Sequence, residues 1–279
     1  MTFTIPEEIS MIVSSDPTTG ASNKSADGSY FEVQLQDGLT IPKDALNINV
    51  RVEEATIWFV VPNIITNVND KMFITGPDTA GALQNYIVTL PQGLYDLSGL
   101  NQAVLRDLEN KGAKTDPNPL ITMTPDDATQ KVQIRFNYNN VSIDFTQADT
   151  FRDILAFDSL VYGPYASTPI NILAPDVAAF NQVNYFLIHS DLTNKGIRFN
   201  NNYTQTVAQV LIDVPPGSQI VSRPFNPAKI STQELAGTNR TNLRFWLTDD
   251  ENRRVNTNGE YWSARIVIDY LKPFVIEKT

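Results

Sequence analysis

The 279-residue sequence contains no cysteine and a single histidine. The first absence removes disulfides and thiolate-held metals, which accords with folding in a reducing compartment. The second makes any scheme that needs an imidazole base depend on His189 alone. Basic residues are also short: 21 Lys and Arg against 31 Asp and Glu give a formal net charge of −10. The densest basic spot, Arg253-Arg254, follows Asp249-Asp250-Glu251 with one residue, Asn252, between. A surface for direct nucleic-acid binding is therefore not expected. No run approaches the roughly 18 apolar residues of a membrane-spanning helix, and the first residues lack the basic and apolar regions of a secretory signal. The expectation is an unprocessed chain without membrane insertion.

What is present is β patterning. With 42% hydrophobic and 10% aromatic residues there is ample material for a core, and Asn, Thr, Asp and Pro break the chain every roughly 8 to 15 residues, the spacing of a sandwich or barrel. Residues 1–29 are mostly polar and small and predict an extended N-terminal arm. Phe31, Val33 and Leu35 alternate with Glu32, Gln34 and Gln36 as an amphipathic strand. Leu46, Ile48, Val50 and Val52 begin another, whose phase breaks at Glu53-Glu54 before the apolar run Ile57–Val61. The break predicts either a bulge or a turn joining two strands, because a slip of one residue exchanges the two faces.

Residues 70–157 differ in style and predict an inserted α+β subdomain. Leu97, Leu100, Val104 and Leu108 recur at helical spacing after the capping candidates Asp96 and Ser98, and Lys111-Gly112 ends the run. Strands are expected at Tyr86–Leu90, Leu120–Met123, Val132–Tyr138 and Val141–Phe145, with a short helical stripe at Phe151, Ile154 and Leu155. Strand patterns return at Ile170–Leu173, Val183–His189, Val207–Val214, Ala228–Ser231, Asn242–Leu247 and Glu260–Leu271. The expected fold is thus mainly β: a single eight-stranded antiparallel jelly-roll sandwich formed by residues 30–69 and 158–279, discontinuous around the insertion.

No catalytic, cofactor-binding or metal-binding residue is assigned. His189 lies in a strand pattern where its neighbours Ile188 and Ser190 point to the opposite face, so a Ser–His–Asp unit cannot be built from adjacent residues. Asp126-Asp127 and Asp249-Asp250-Glu251 lie in polar turns, where Asp serves the local backbone. Gly76-Pro77-Asp78-Thr79-Ala80-Gly81 lacks the Gly-Lys-Ser/Thr and the helix of a phosphate loop. Trp58, Trp246 and Trp262 fall in strand patterns and are expected in the core.

Three passages carry a family likeness: Leu90-Pro91-Gln92-Gly93-Leu94-Tyr95-Asp96-Leu97, then Phe151-Arg152-Asp153-Ile154-Leu155-Ala156-Phe157, then Val210-Leu211-Ile212-Asp213-Val214-Pro215-Pro216-Gly217 with Pro224 beyond. Together with the closing hairpin from Phe245 to Tyr270, the sequence resembles the jelly-roll penton or minor capsid proteins of virophages and Polinton-like viruses. Ala156 departs from the family's Leu-Gly-Phe pattern. The resemblance implies a non-enzymatic structural subunit that forms homopentamers at the vertices of an icosahedral shell. It implies contact with a major capsid protein and other shell proteins, a host receptor met through the insertion, synthesis inside the host cell and residence in the virion. Alternatives are a double jelly-roll major capsid protein, a receptor- or glycan-binding spike module, and a carbohydrate-active enzyme with a paired-carboxylate cleft.

Overall fold

A computed structural model describes residues 2–180, 183–199 and 202–275. The chain opens with β1 (Thr2–Ser14), β2 (Ala21–Ser22), β3 (Tyr30–Thr40) and β4 (Leu46–Trp58). It continues with β5 (Lys71–Pro77), β6 (Leu83–Thr89), α1 (Leu97–Asn110), β7 (Ile121–Asp126), β8 (Lys131–Phe136), β9 (Ser142–Asp144), α2 (Arg152–Leu155), β10 (Val161–Tyr162) and β11 (Ile170–Leu173). The last part holds β12 (Tyr185–Ser190), β13 (Arg198–Phe199), β14 (Asn202–Tyr203), β15 (Thr206–Leu211), β16 (Gln219–Ser222), β17 (Ile230–Ser231), β18 (Asn239–Thr248) and β19 (Ser263–Val275). The fold is mainly β and the strand ladders are antiparallel.

Two compact units result, one from Met1–Val61 with Val183–Thr279, the other from Pro62–Gln182. The first contains two five-stranded sheets, ordered β1-β19-β4-β16 with β17 also on β4, and β15-β12-β18-β3-β2. Among its eight principal strands, taken in chain order, the first pairs with the eighth (β1 with β19), the second with the seventh (β3 with β18), the third with the sixth (β4 with β16) and the fourth with the fifth (β12 with β15). Their inner faces are apolar: Ile48, Val50, Ile57, Ile266 and Ile268 in one sheet, Phe31, Phe186, Ile188, Phe245 and Leu247 in the other, all at most 2% exposed.

The phase break in β4 is resolved as a bulge. Arg265 lies opposite Glu54 while Ile266 lies opposite Val52, so Glu53 is the extra residue. The even positions Ile48, Val50 and Val52 are buried before it and the odd positions Ala55 and Ile57 after it, and one strand stays amphipathic through a change of phase.

The N-terminal arm expected over residues 1–29 is replaced by structure. Every residue of β1 pairs with β19, from Thr2 opposite Val275 to Ser14 opposite Ser263. The strand was obscured because Glu7 interrupts its apolar face; Glu7 accepts a 2.6 Å hydrogen bond from the Tyr270 hydroxyl, which satisfies the carboxylate there.

The second unit holds β10-β9-β5-β6 and β11-β8-β7 and a core of its own that includes Ile74, Leu100, Val104, Phe136, Phe145 and Phe151. Helix α1 starts where Asp96 accepts the Gly99 N–H at 2.6 Å and buries Leu100, Ala103, Val104 and Leu108. The unit reaches further than the expected 70–157. At one end the Asn63 amide donates to the carbonyls of Tyr95 (2.7 Å) and Phe180 (3.1 Å) and accepts from the Tyr95 N–H. At the other, Ile170–Leu173 pairs with β8, so residues 62–69 and 158–180 belong here rather than with the first unit.

Helix α2 ends at Ala156, whose φ of 60° is left-handed. The Ala156 N–H donates to Asp153 O and the Phe157 N–H to Arg152 O, the pattern of a helix stop that favours glycine. Ala156→Gly is expected to stabilise the protein by about 0.5–1 kcal/mol through relief of the Cβ penalty. Urea denaturation read against the parent checks this.

Candidate functional site

His189 is 2% exposed on β12. Its Nε2 lies 2.8 Å from Thr248 Oγ1 and its Nδ1 3.2 Å from Thr206 Oγ1. A neutral imidazole has one donor and one acceptor, and a hydroxyl on each side can serve either. The ring stacks on Trp246 at 5.3 Å with 3° between planes, and Arg254 lies over the indole ring at 5.6 Å. Burial, and then the Arg254 charge, pull the His189 pKa down to about 4. Asp191 is engaged by Arg244, accepting from its Nε at 3.0 Å, and Ser190 Oγ accepts the Leu192 N–H. The three residues form no triad, and the imidazole is locked as a spacer between hydroxyls.

The acidic turns organise backbone. Asp249 Oδ1 accepts the N–H groups of Glu251 and Arg253, and its Oδ2 accepts from Arg253 Nε at 2.8 Å. Asp126 accepts from the Thr129 hydroxyl and N–H, which lower its pKa. Among the described residues no cluster of three or more His, Cys, Asp or Glu side chains is placed to hold a metal. Gly76 lies in β5, and Asp78 takes the N–H groups of Ala80 and Ala82 in a hairpin turn that leads into β6.

Of the tryptophans, Trp262 is in the core as expected, 4.9 Å from Phe31 in an edge-on contact. Trp246 and Trp58 correct that expectation. Both are half-buried on the outward faces of β18 and β4, since their immediate neighbours Phe245, Leu247 and Ile57 take the inward positions.

The remaining feature is the pair of edges of the first sheet. On one side β1 pairs only with β19 among the described residues; on the other, β16 and β17 lie end to end along β4, at Gln219–Ser222 opposite 55–58 and Ile230–Ser231 opposite 49–50. Phe3 (39%), Ile5 (49%) and Ile12 (79%) are exposed on β1, while Val221 (49%) and Phe225 (fully exposed) stand on the opposite side. The sequence hid these: a Phe between two prolines carries no period, and β16 is only four residues long. Such edges expose unpaired backbone groups that another chain can meet.

No protein-family model and no curated protein matches the chain. Among solved structures it is similar to the selenomethionine-labelled crystal structure of mavirus penton protein, at 9% identity and a TM-score of 0.46, with 95% of this chain and 100% of that chain covered.

Proposed function

We propose that the chain is a structural capsid protein of an icosahedral virus, the penton subunit, which assembles as a homopentamer on a jelly-roll body. The observation that carries the reading is the strand pairing: first with eighth, second with seventh, third with sixth and fourth with fifth, divided between two antiparallel sheets. A long hairpin rolled up in this order is a jelly roll, a form that recurs in viral capsid domains. The sequence resemblance to penton proteins points the same way.

One set of eight strands, rather than two, favours the vertex subunit over a double jelly-roll shell protein. The Pro62–Gln182 unit enters between the third and fourth strands as the insertion, the part that meets a host receptor. The first unit's edges meet identical neighbours, and the shell's major capsid protein surrounds the ring. The role is non-enzymatic, in keeping with a histidine held between two threonines, and its site of action is the virion after synthesis in the host cell. Negative-stain imaging of the purified protein tests the reading. Fivefold class averages are expected; threefold particles would reassign it to the major capsid protein, and isolated monomers to a binding module.

A further inference from the structure

We propose that the two opposite edges of the first sheet are complementary halves of one contact between copies of this chain, with Phe225 as its anchor; this rests on the assembly reading above. The edges are matched in charge. Residues 2–14 carry Glu7 and Glu8 and no cation, whereas residues 219–231 carry Arg223 and Lys229 and no anion. Within one copy these groups have surface partners: Glu8 with Arg51, Glu7 with Lys272, Arg223 with Glu54 and Lys229 with Asp269. Their side chains nevertheless stay exposed, at 50% for Glu8, 69% for Arg223 and 59% for Lys229, and can take a second partner.

Each edge also carries apolar surface. Phe3 and Phe274 stack at 5.6 Å, beyond the last pairing of β19 with β4 at Leu271 and Leu46. There, among the described residues, a two-stranded ribbon continues without a third strand, an arrangement of low intrinsic stability. Facing the other way, Phe225 stands fully exposed between Pro224 and Pro227. The prolines restrict the loop before it meets anything, which lowers the ordering cost of docking. A lone aromatic held out in this way has the character of an interface anchor.

A second copy is the occupant the charges select. Pairing β1 with another β1 about a two-fold axis would bring Glu7 and Glu8 towards their counterparts, so a self-complementary contact is opposed. Joining the β16–β17 edge of one copy to the β1 edge of the next brings opposite charges together and is head-to-tail, the type of contact that closes into a ring.

Native mass spectrometry across a concentration series tests this on five proteins: the parent, Phe225→Ser, the double variant Glu7→Lys with Glu8→Lys, the double variant Arg223→Glu with Lys229→Glu, and the chain that combines the two double variants. Circular dichroism confirms that each is folded. Phe225→Ser is expected to weaken association by about tenfold or more. Each charge variant alone is expected to assemble poorly, and carrying both reversals in one chain is expected to restore rings, which a folding defect would not do. If the parent assembles and all variants assemble equally well, the edge assignment is overturned while the assembly reading stands. If the parent stays monomeric throughout, both fall.

Discussion

Replacing Trp262 by Ala is expected to cost about 3–5 kcal/mol of stability, the range for a large aromatic removed from a close-packed interior. Trp262 is 2% exposed. It lies edge-on to Phe31 at 4.9 Å, and Phe31 in turn stacks on Phe245 at 5.6 Å, so the indole ties the approach to β19 to the opposite sheet. Its Nε1–H donates to the Gly28 carbonyl at 3.3 Å and its backbone N–H to Ser15 Oγ at 2.9 Å. The Ala variant would leave a cavity and strip the buried Gly28 carbonyl of this donor, and both effects act in one direction. Thermal melting should show a fall of roughly 5 to 9 °C. A change below about 1 kcal/mol would mean that the two sheets do not depend on this contact.

The second large effect is on pH dependence. The unfolded His189 takes up a proton near its ordinary value of 6.5, whereas in the fold burial and Arg254 hold it to about 4. Above the first value the ring is neutral in both states and its contribution to stability is complete. As pH falls between the two values only the unfolded state gains the proton, and stability is lost; below the second the loss levels off. Over this window the loss amounts to about 3 kcal/mol. Urea titrations at neutral pH and at about pH 5 should show roughly 2 kcal/mol of it. His189→Gln, which keeps hydrogen-bonding capacity towards Thr206 and Thr248, should abolish the slope in this range. Carboxylates held down by hydrogen bonds, such as Asp27, Asp126 and Asp144, act at lower pH and remain in the variant. An unchanged slope in His189→Gln would show that another group governs the acid response.

Much of the architecture was legible because strand alternation is a strong signal where one face is buried. The even-to-odd change in β4 pointed to an irregularity between Val52 and Ala55, and the fold placed a bulge there. The helix that begins after Asp96 was readable from its cap and its four-residue spacing. Position in a sheet was less legible. Ile170–Leu173 read correctly as a strand, but alternation says nothing about which neighbour it will join, and it joined β8. The first strand was missed because the apolar series Phe3, Ile5, Ile9, Met11 and Val13 is broken by Glu7, whose partner Tyr270 lies 263 residues away. The lower bound of the second unit was missed for a similar reason: Asn63 looks like a loop residue until its amide reaches Tyr95 and Phe180. The placement of His189 on a strand was legible from its neighbours alone. Its threonine partners and its stacking on Trp246 were not, since they come from two other strands, β15 and β18.

Assembly with copies of itself is how this chain is proposed to act, and the mass of the purified, undenatured protein reads it out. A species of five times the mass of one 279-residue chain is expected, persisting on dilution in the parent and dissociating at about tenfold higher concentration or more when Phe225 is replaced. A protein that remains a single chain at every concentration tested would contradict it.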